Sequence, residues 1–273
     1  MSQTQPLLSL AAGILPEYRG PAVAAAAAEA GYRAFGVTGD QDWQDAETAQ
    51  VRALQRAHGM AWLDVEVVWL QAGARVTDLH RRIIDVGAEL GARQVLMVSA
   101  EPDPQAVAEA QHALCELAAP AGMGVVLEFL RITAITRPSQ ALAIARAAAH
   151  PGAGVLVDAL HLARSGEDVA TLAGAADLLP YLQLCDGPRT CEEDAEALLE
   201  DALDRRSAAG EGQLPLRALM AQVPGVPLSL EVRSRRYREA YPEAAARAGA
   251  VLAQTRRWLA QAPAADGTHG ALS

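Results

Sequence analysis

Gly154-Val155-Leu156-Val157-Asp158-Ala159-Leu160-His161 is an apolar run that stops on a carboxylate and reaches an imidazole three residues later. A short run without polar alternation suits a parallel strand buried on both faces. The same design recurs on either side of it. Gly124-Val125-Val126-Leu127-Glu128 comes before, and Tyr181-Leu182-Gln183-Leu184-Cys185-Asp186 and Pro227-Leu228-Ser229-Leu230-Glu231 come after. Working outward, the sequence predicts strands over residues 8–12, 34–38, 62–67, 94–98, 125–128, 155–158, 181–185 and 228–232, eight in all.

Helical patterns fill the gaps, over residues 21–30, 46–58, 76–90, 104–118, 139–148, 168–175, 194–204 and 242–261. Gly31, Gly59 and Gly91 each follow the last periodic residue, where a left-handed C-cap favours glycine. No GxGxxG follows the first strand, which removes the simplest dinucleotide-binding reading. Eight strand-then-helix units fill about 250 residues, the usual size of a closed (β/α)8 barrel. The expected architecture is therefore an α/β TIM barrel, one domain over residues 5–260, with residues 261–273 as a flexible C-terminal tail.

Composition narrows the chemistry. The formal charge is −10, and every one of the 23 basic residues is arginine. The absence of lysine excludes a Schiff-base lysine and a Walker-type phosphate lysine. The absence of asparagine excludes N-glycosylation. An acidic chain without a basic block predicts no nucleic-acid partner. Three cysteines without a CxxC predict reduced thiols. The apolar stretch 7–15 is too short to span a bilayer and lacks a basic flank, so a soluble cytoplasmic protein is expected. The sequence leaves a homo-oligomer open.

In a barrel the carboxyl ends of the strands converge on one axis. Glu128, Asp158, Gln183 and Glu231 lie at or near the ends of four successive strands. One such carboxylate alone is usually a loop residue or a helix cap. Three within a few ångströms repel unless a cation lies among them, and an all-oxygen set suits Mg²⁺ or Mn²⁺. His161 would face the same cavity for substrate contact or proton transfer. Glu66, on the third strand, could point into the pocket beside Trp69, although strand alternation could equally send Asp64 or Glu66 elsewhere. Arg206, before the Gly210-Glu211-Gly212 loop, could hold an oxyanion in its fork or be a solvated surface arginine.

These motifs resemble the sugar phosphate isomerase/epimerase superfamily, the xylose isomerase-like TIM barrels, over nearly the whole chain. The resemblance implies one divalent metal, Mn²⁺ or Mg²⁺ with Co²⁺ or Zn²⁺ also compatible, held by Glu128, Asp158, Gln183 and Glu231. It implies that His161 and Arg206 contact substrate. Gln183, where sugar epimerases usually carry histidine, together with Asp186 and Pro188, is similar to the branch that includes 3-dehydroshikimate dehydratases. The tract after Glu128, Phe129-Leu130-Arg131-Ile132, lacks the histidine associated with that dehydratase.

The leading expectation is a metal-dependent isomerase or epimerase of a small sugar, polyol or keto-acid. Glu128 and Glu231 would be its acid/base pair across an enediolate, with His161, Arg206, Glu66 and Trp69 around the substrate. A dehydratase of dehydroshikimate or inosose type shares the first proton abstraction. A catalytically silent barrel that binds metal and ligand is the third reading.

Overall fold

The computed structural model describes residues 6–192 and 194–261. Eight strands, β1 (Leu8–Leu10), β2 (Ala34–Thr38), β3 (Ala61–Leu70), β4 (Gln94–Ser99), β5 (Gly124–Glu128), β6 (Ala153–Asp158), β7 (Leu182–Leu184) and β8 (Leu228–Leu230), form one closed parallel barrel. Each strand pairs with the next, and β8 returns to β1 with Leu8 opposite Leu228 and Leu10 opposite Leu230. The fold is the expected (β/α)8 barrel, and each predicted strand is present. β1, β7 and β8 are shorter than predicted, and β3 extends to Leu70.

Helices α1 (Gly20–Ala30), α2 (Asp45–His58), α3 (Asp78–Leu90), α4 (Pro104–Ala118) and α5 (Pro138–Ala147) follow the first five strands. Gly31, Gly59 and Gly91 end three of them in the left-handed conformation that a side chain would strain. Then come α6 (Ala159–Arg164), α7 (Ala195–Asp204), α8 (Leu216–Gln222), α9 (Arg235–Ala240) and α10 (Ala244–Ala260). The helix predicted over 168–175 is a misplacement. Asp158 ends β6 and caps a helix that starts at once, its Oδ1 accepting from the amides of Leu160 and His161 at 2.8 and 3.0 Å. Gly166 then turns left-handed, and Asp168 caps only the 3-10 turn Val169–Leu172. His161 thus sits on the first turn of α6, not on a loop. Most of the expected C-terminal tail, residues 262–273, lies outside the described residues. No helix among the described residues is long and apolar enough to cross a membrane, and Cys115, Cys185 and Cys191 are free thiols.

The larger apolar core fills the layer between strands and helices, as continuous apolar strands require. A smaller one, with Leu63, Leu96, Val98, Val126, Leu156 and Tyr181, plugs the barrel itself. The interior also admits polar groups. Ser9 and Ser229 pair in register, and neither buried hydroxyl has a hydrogen-bond partner. The Tyr181 hydroxyl donates to Asp64 Oδ2 at 2.8 Å. β3 slips register against both neighbours, between Phe35 and Val37 and between Val65 and Val68, and it sends Asp64 and Glu66 inward.

Candidate metal centre

Four consecutive strands deliver the site. Glu128 and Asp158 are the last residues of β5 and β6, Gln183 is the middle residue of β7, and Glu231 follows β8 directly. All four side chains are buried. One oxygen from each of Glu128, Asp158 and Glu231 lies within 4.8 Å of the other two. One terminal atom of the Gln183 amide sits 3.2 Å from Glu128 Oε1 and 3.1 Å from Glu231 Oε2. With its nitrogen there the amide donates to both carboxylates. With its oxygen there it adds a fourth oxygen to the same cluster. The set expected from the sequence is brought together.

Arg206 lies among these groups. Its Nη1 donates to Asp158 Oδ2 at 2.7 Å and to Glu231 Oε2 at 2.9 Å, and its Nε donates to the Ala202 carbonyl at 2.8 Å. It is 3 % exposed, so it is no solvated surface arginine. Burial works against its charge, but Asp158 and Glu231 outweigh that and hold it firmly protonated. With all three carboxylates ionised, a single guanidinium would leave two negative charges uncompensated. Burial first, and then Glu231 and Asp158, push Glu128 well above the usual carboxylate range. Burial also raises Glu231, although Arg206 opposes it. An oxygen-rich cluster that is two charges short of neutrality when ionised is the donor set that a hard divalent cation satisfies, so the residues fit the metal that the motifs imply.

His161 Nε2 lies 3.2 Å from Arg206 Nη2 and 3.9 Å from Glu128 Oε1. The guanidinium can only donate, so Nε2 accepts and the imidazole is neutral with its proton on Nδ1. Burial drives the same way, pushing His161 down to about 4. Glu66 keeps a buried Oε1 without a hydrogen-bond partner. Burial first, then Asp64 and Glu231, raise it well above its ordinary value. Trp69 pairs with Val98 near the end of β3 and is 41 % exposed, and no contact joins its side chain to the carboxylate cluster among the described residues.

Several contributors were missed from the sequence. Gly13, in the 3-10 turn after β1, lets the Glu231 carboxylate lie across its bare α-carbon, since a Cβ there would be 2.4 Å from Glu231 Oε1. Asp186 pins the Gly210-Glu211-Gly212 loop beside the mouth, its carboxylate accepting from the amides of Gly187, Gly210 and Leu214. A Cβ on Gly212 would be 2.4 Å from Asp186 Oδ1. Arg233 lies two residues after Glu231. The alternation Ser229, Glu231, Arg233 is the signal that could have found it. No sequence signal marks Gly13.

The comparisons with known proteins agree with the fold. Residues 24–261 match the model of the family described as xylose isomerase-like TIM barrel. No curated protein matches the sequence. Among solved structures the chain resembles the IolI protein with a bound zinc atom (14 % identity, 93 % of this chain and 99 % of that one, TM-score 0.74). It resembles D-allulose 3-epimerase from Methylomonas sp. in complex with D-allulose (16 %, 93 % and 97 %, TM-score 0.68). It also resembles the probable 3-DHS dehydratase AsbF from Bacillus anthracis (15 %, 90 % and 98 %, TM-score 0.67). It spans 44 % of a longer chain, a xylose isomerase-like TIM barrel/4-hydroxyphenylpyruvate dioxygenase fusion protein, at 22 % identity over 94 % of its own length and a TM-score of 0.72. At such identities the structural likenesses speak for the fold, while the family match over most of the chain carries the assignment. The chain belongs to the xylose isomerase-like TIM barrel family.

Proposed function

We propose that this protein is a divalent-metal-dependent isomerase or epimerase of a small sugar, polyol or keto-acid. The observation that carries the reading is the convergence of Glu128, Asp158 and Glu231 within 4.8 Å, joined by the Gln183 amide. When bound there, the cation supplies Lewis-acid stabilisation of negative charge developing on a substrate oxygen. Glu128, Asp158, Gln183 and Glu231 would hold it. Mn²⁺ and Mg²⁺ suit the oxygen set, and the zinc atom of the structurally similar IolI makes zinc a third candidate.

The chain's own groups do the rest. Glu128 and Glu231 come from β5 and β8, on different sides of the mouth. They are the pair that removes a proton beside a carbonyl and returns one. Arg206 holds Glu231 and Asp158 in place through Nη1 and keeps its positive charge next to the reacting centre. His161, neutral and accepting from Arg206, fixes the guanidinium plane. The plug of Leu96, Val126 and Leu156 closes the barrel beneath and excludes water from that side. Dehydration is the second reading. It shares the first proton removal, and Gln183 in place of histidine favours it.

The test is incubation with Mn²⁺ in deuterated water of a panel of ketoses, hydroxypyruvate and 3-dehydroshikimate. Deuterium should enter the carbon beside the carbonyl of at least one compound, and Glu231→Gln should abolish the exchange. Loss of water from the substrate assigns the dehydratase reading instead. No exchange across the panel, from protein with full metal content, refutes both and leaves a binding barrel.

A further inference from the structure

Among the described residues, the buried and half-buried arginines have partners, with one exception. Arg164 is bound to Asp201, Arg206 to Asp158 and Glu231, and Arg247 to Glu17 and three backbone carbonyls. Arg233 is half-buried, its Nε is shielded from solvent, and that nitrogen has no hydrogen-bond partner. Among the described residues no carboxylate or carbonyl accepts from its guanidinium. A guanidinium almost always finds an acceptor, because a shielded donor left unmade has lost its water and gained nothing in return.

The position of Arg233 indicates what is missing. Ser229, Glu231 and Arg233 alternate along one strand direction. Ser229 is inside the barrel and Glu231 is in the metal-ligand cluster, so Arg233 is the next step outward on the same face. Its backbone is fixed. The Arg233 carbonyl accepts from the Arg206 amide at 3.1 Å, and Ser234, bridged to Arg205, caps α9. Across the mouth Glu66 Oε1 is likewise buried and unpartnered. The charge of Arg233 is felt by both Glu66 and Glu231, yet no ion pair closes between them. A shielded donor on Arg233 and a shielded acceptor on Glu66, neither met by a protein group, are what a ligand carrying complementary groups would satisfy.

We infer that Arg233 receives an anionic group of the substrate, so that this barrel acts on small acids bearing a carboxylate or a phosphate in preference to neutral sugars. The inference rests on the proposed function for the position of the reacting centre and extends it to substrate class. The planar fork matches two oxygens of either anion, and Glu66 Oε1 is left to accept from a substrate hydroxyl. Arg206 cannot take this role in the observed arrangement, because Asp158, Glu231, Ala202 and His161 already occupy it.

The experiment is calorimetric binding of three probes to the full chain, with and without Mn²⁺: hydroxypyruvate, dihydroxyacetone phosphate and uncharged dihydroxyacetone. At least one anion should bind on the order of ten- to a hundredfold tighter than dihydroxyacetone, the range expected for a charge-assisted fork. The tighter of the two identifies carboxylate or phosphate as the source. Arg233→Met should erase the preference while shifting dihydroxyacetone binding by no more than about twofold, and Arg233→Lys should keep part of it. Should Arg233→Met fail to fold, Arg233→Lys against the unmodified protein carries the comparison. Equal binding of all three probes, no binding of either anion, or a preference that survives loss of the guanidinium overturns the inference. Anion preference that depends on Arg233 in protein that takes up no Mn²⁺ would sink the metal reading and leave this one standing.

Discussion

Replacing Gly13 with alanine tests how the Glu231 carboxylate is positioned. The added Cβ would lie 2.4 Å from Glu231 Oε1 and 3.0 Å from its Cγ, where ordinary contact begins at 3.4 Å. The carboxylate must therefore retreat by about 1 Å, because the 3-10 turn that carries Gly13 is tied to β8 through the Ala11 amide on the Leu230 carbonyl. Glu231 Oε2 is 2.9 Å from Arg206 Nη1 and 3.1 Å from the Gln183 amide. A retreat of that size takes the carboxylate out of the position from which Oε2 makes both contacts. Loss of such support around a ligand typically lowers metal affinity about ten- to a hundredfold, or about 1.4–2.7 kcal/mol. Mn²⁺ titration followed by calorimetry reads it directly. The melting temperature should change little, since the strain is released by one side chain at a solvent-facing mouth. Gly249→Ala is the control: it is a helical glycine whose Cβ would meet only Ala30 Cβ at 3.9 Å, and it should bind Mn²⁺ normally. Wild-type affinity in Gly13→Ala would refute the claim that this glycine sets the position of Glu231.

Two further outcomes concern stability. Arg164 and Asp201 form a buried pair at 2.7 Å, with Arg164 also donating to the carbonyls of Pro188 and Arg189. Arg164→Met leaves Asp201 buried without its counter-charge and should cost about 3–5 kcal/mol, read as a lowered denaturant midpoint at unchanged slope; a loss below about 1 kcal/mol would contradict the buried pairing. Asp64, buried against Tyr181, is pushed up to about 7, mainly by burial. Between its unfolded value near 4 and that folded value, the native state keeps a proton that the unfolded chain has released, so stability falls as pH rises through this window. Asp64→Asn still accepts from Tyr181 but does not titrate. It should be more stable than the unmodified protein at pH 8, by at most about 4 kcal/mol, with the advantage shrinking toward pH 5. An equal gain at both pH values would refute the titration argument.

The sequence by itself determined the barrel and picked out the four residues that cluster at its mouth. Parallel strands covered by helices must be apolar on both faces, so their runs are visible without any partner. A carboxylate ending such a run is conspicuous because burial there is costly. Glu128, Asp158, Gln183 and Glu231 were legible for that reason, and the glycine stops marked three helix ends. The helix after β6 was misplaced because Asp158 serves both as strand end and as N-cap, which leaves no intervening loop to read.

Only the tertiary structure decided the rest. Arg206 could be a surface residue or a substrate clamp until the barrel closed and brought α7's end against β6 and β8, where its Nη1 donates to two of the clustered carboxylates. Asp64 and Glu66 share a face by alternation, but which face that is was decided only once β3 had paired, with its two register slips, against β2 and β4. Gly13 lies 218 residues from Glu231 in the chain, and nothing local marks it. Its role exists because closing β8 onto β1 places that turn over the carboxylate. The unmet guanidinium of Arg233 is likewise a property of the assembled mouth, since a missing partner can be recognised only when every neighbour is in place.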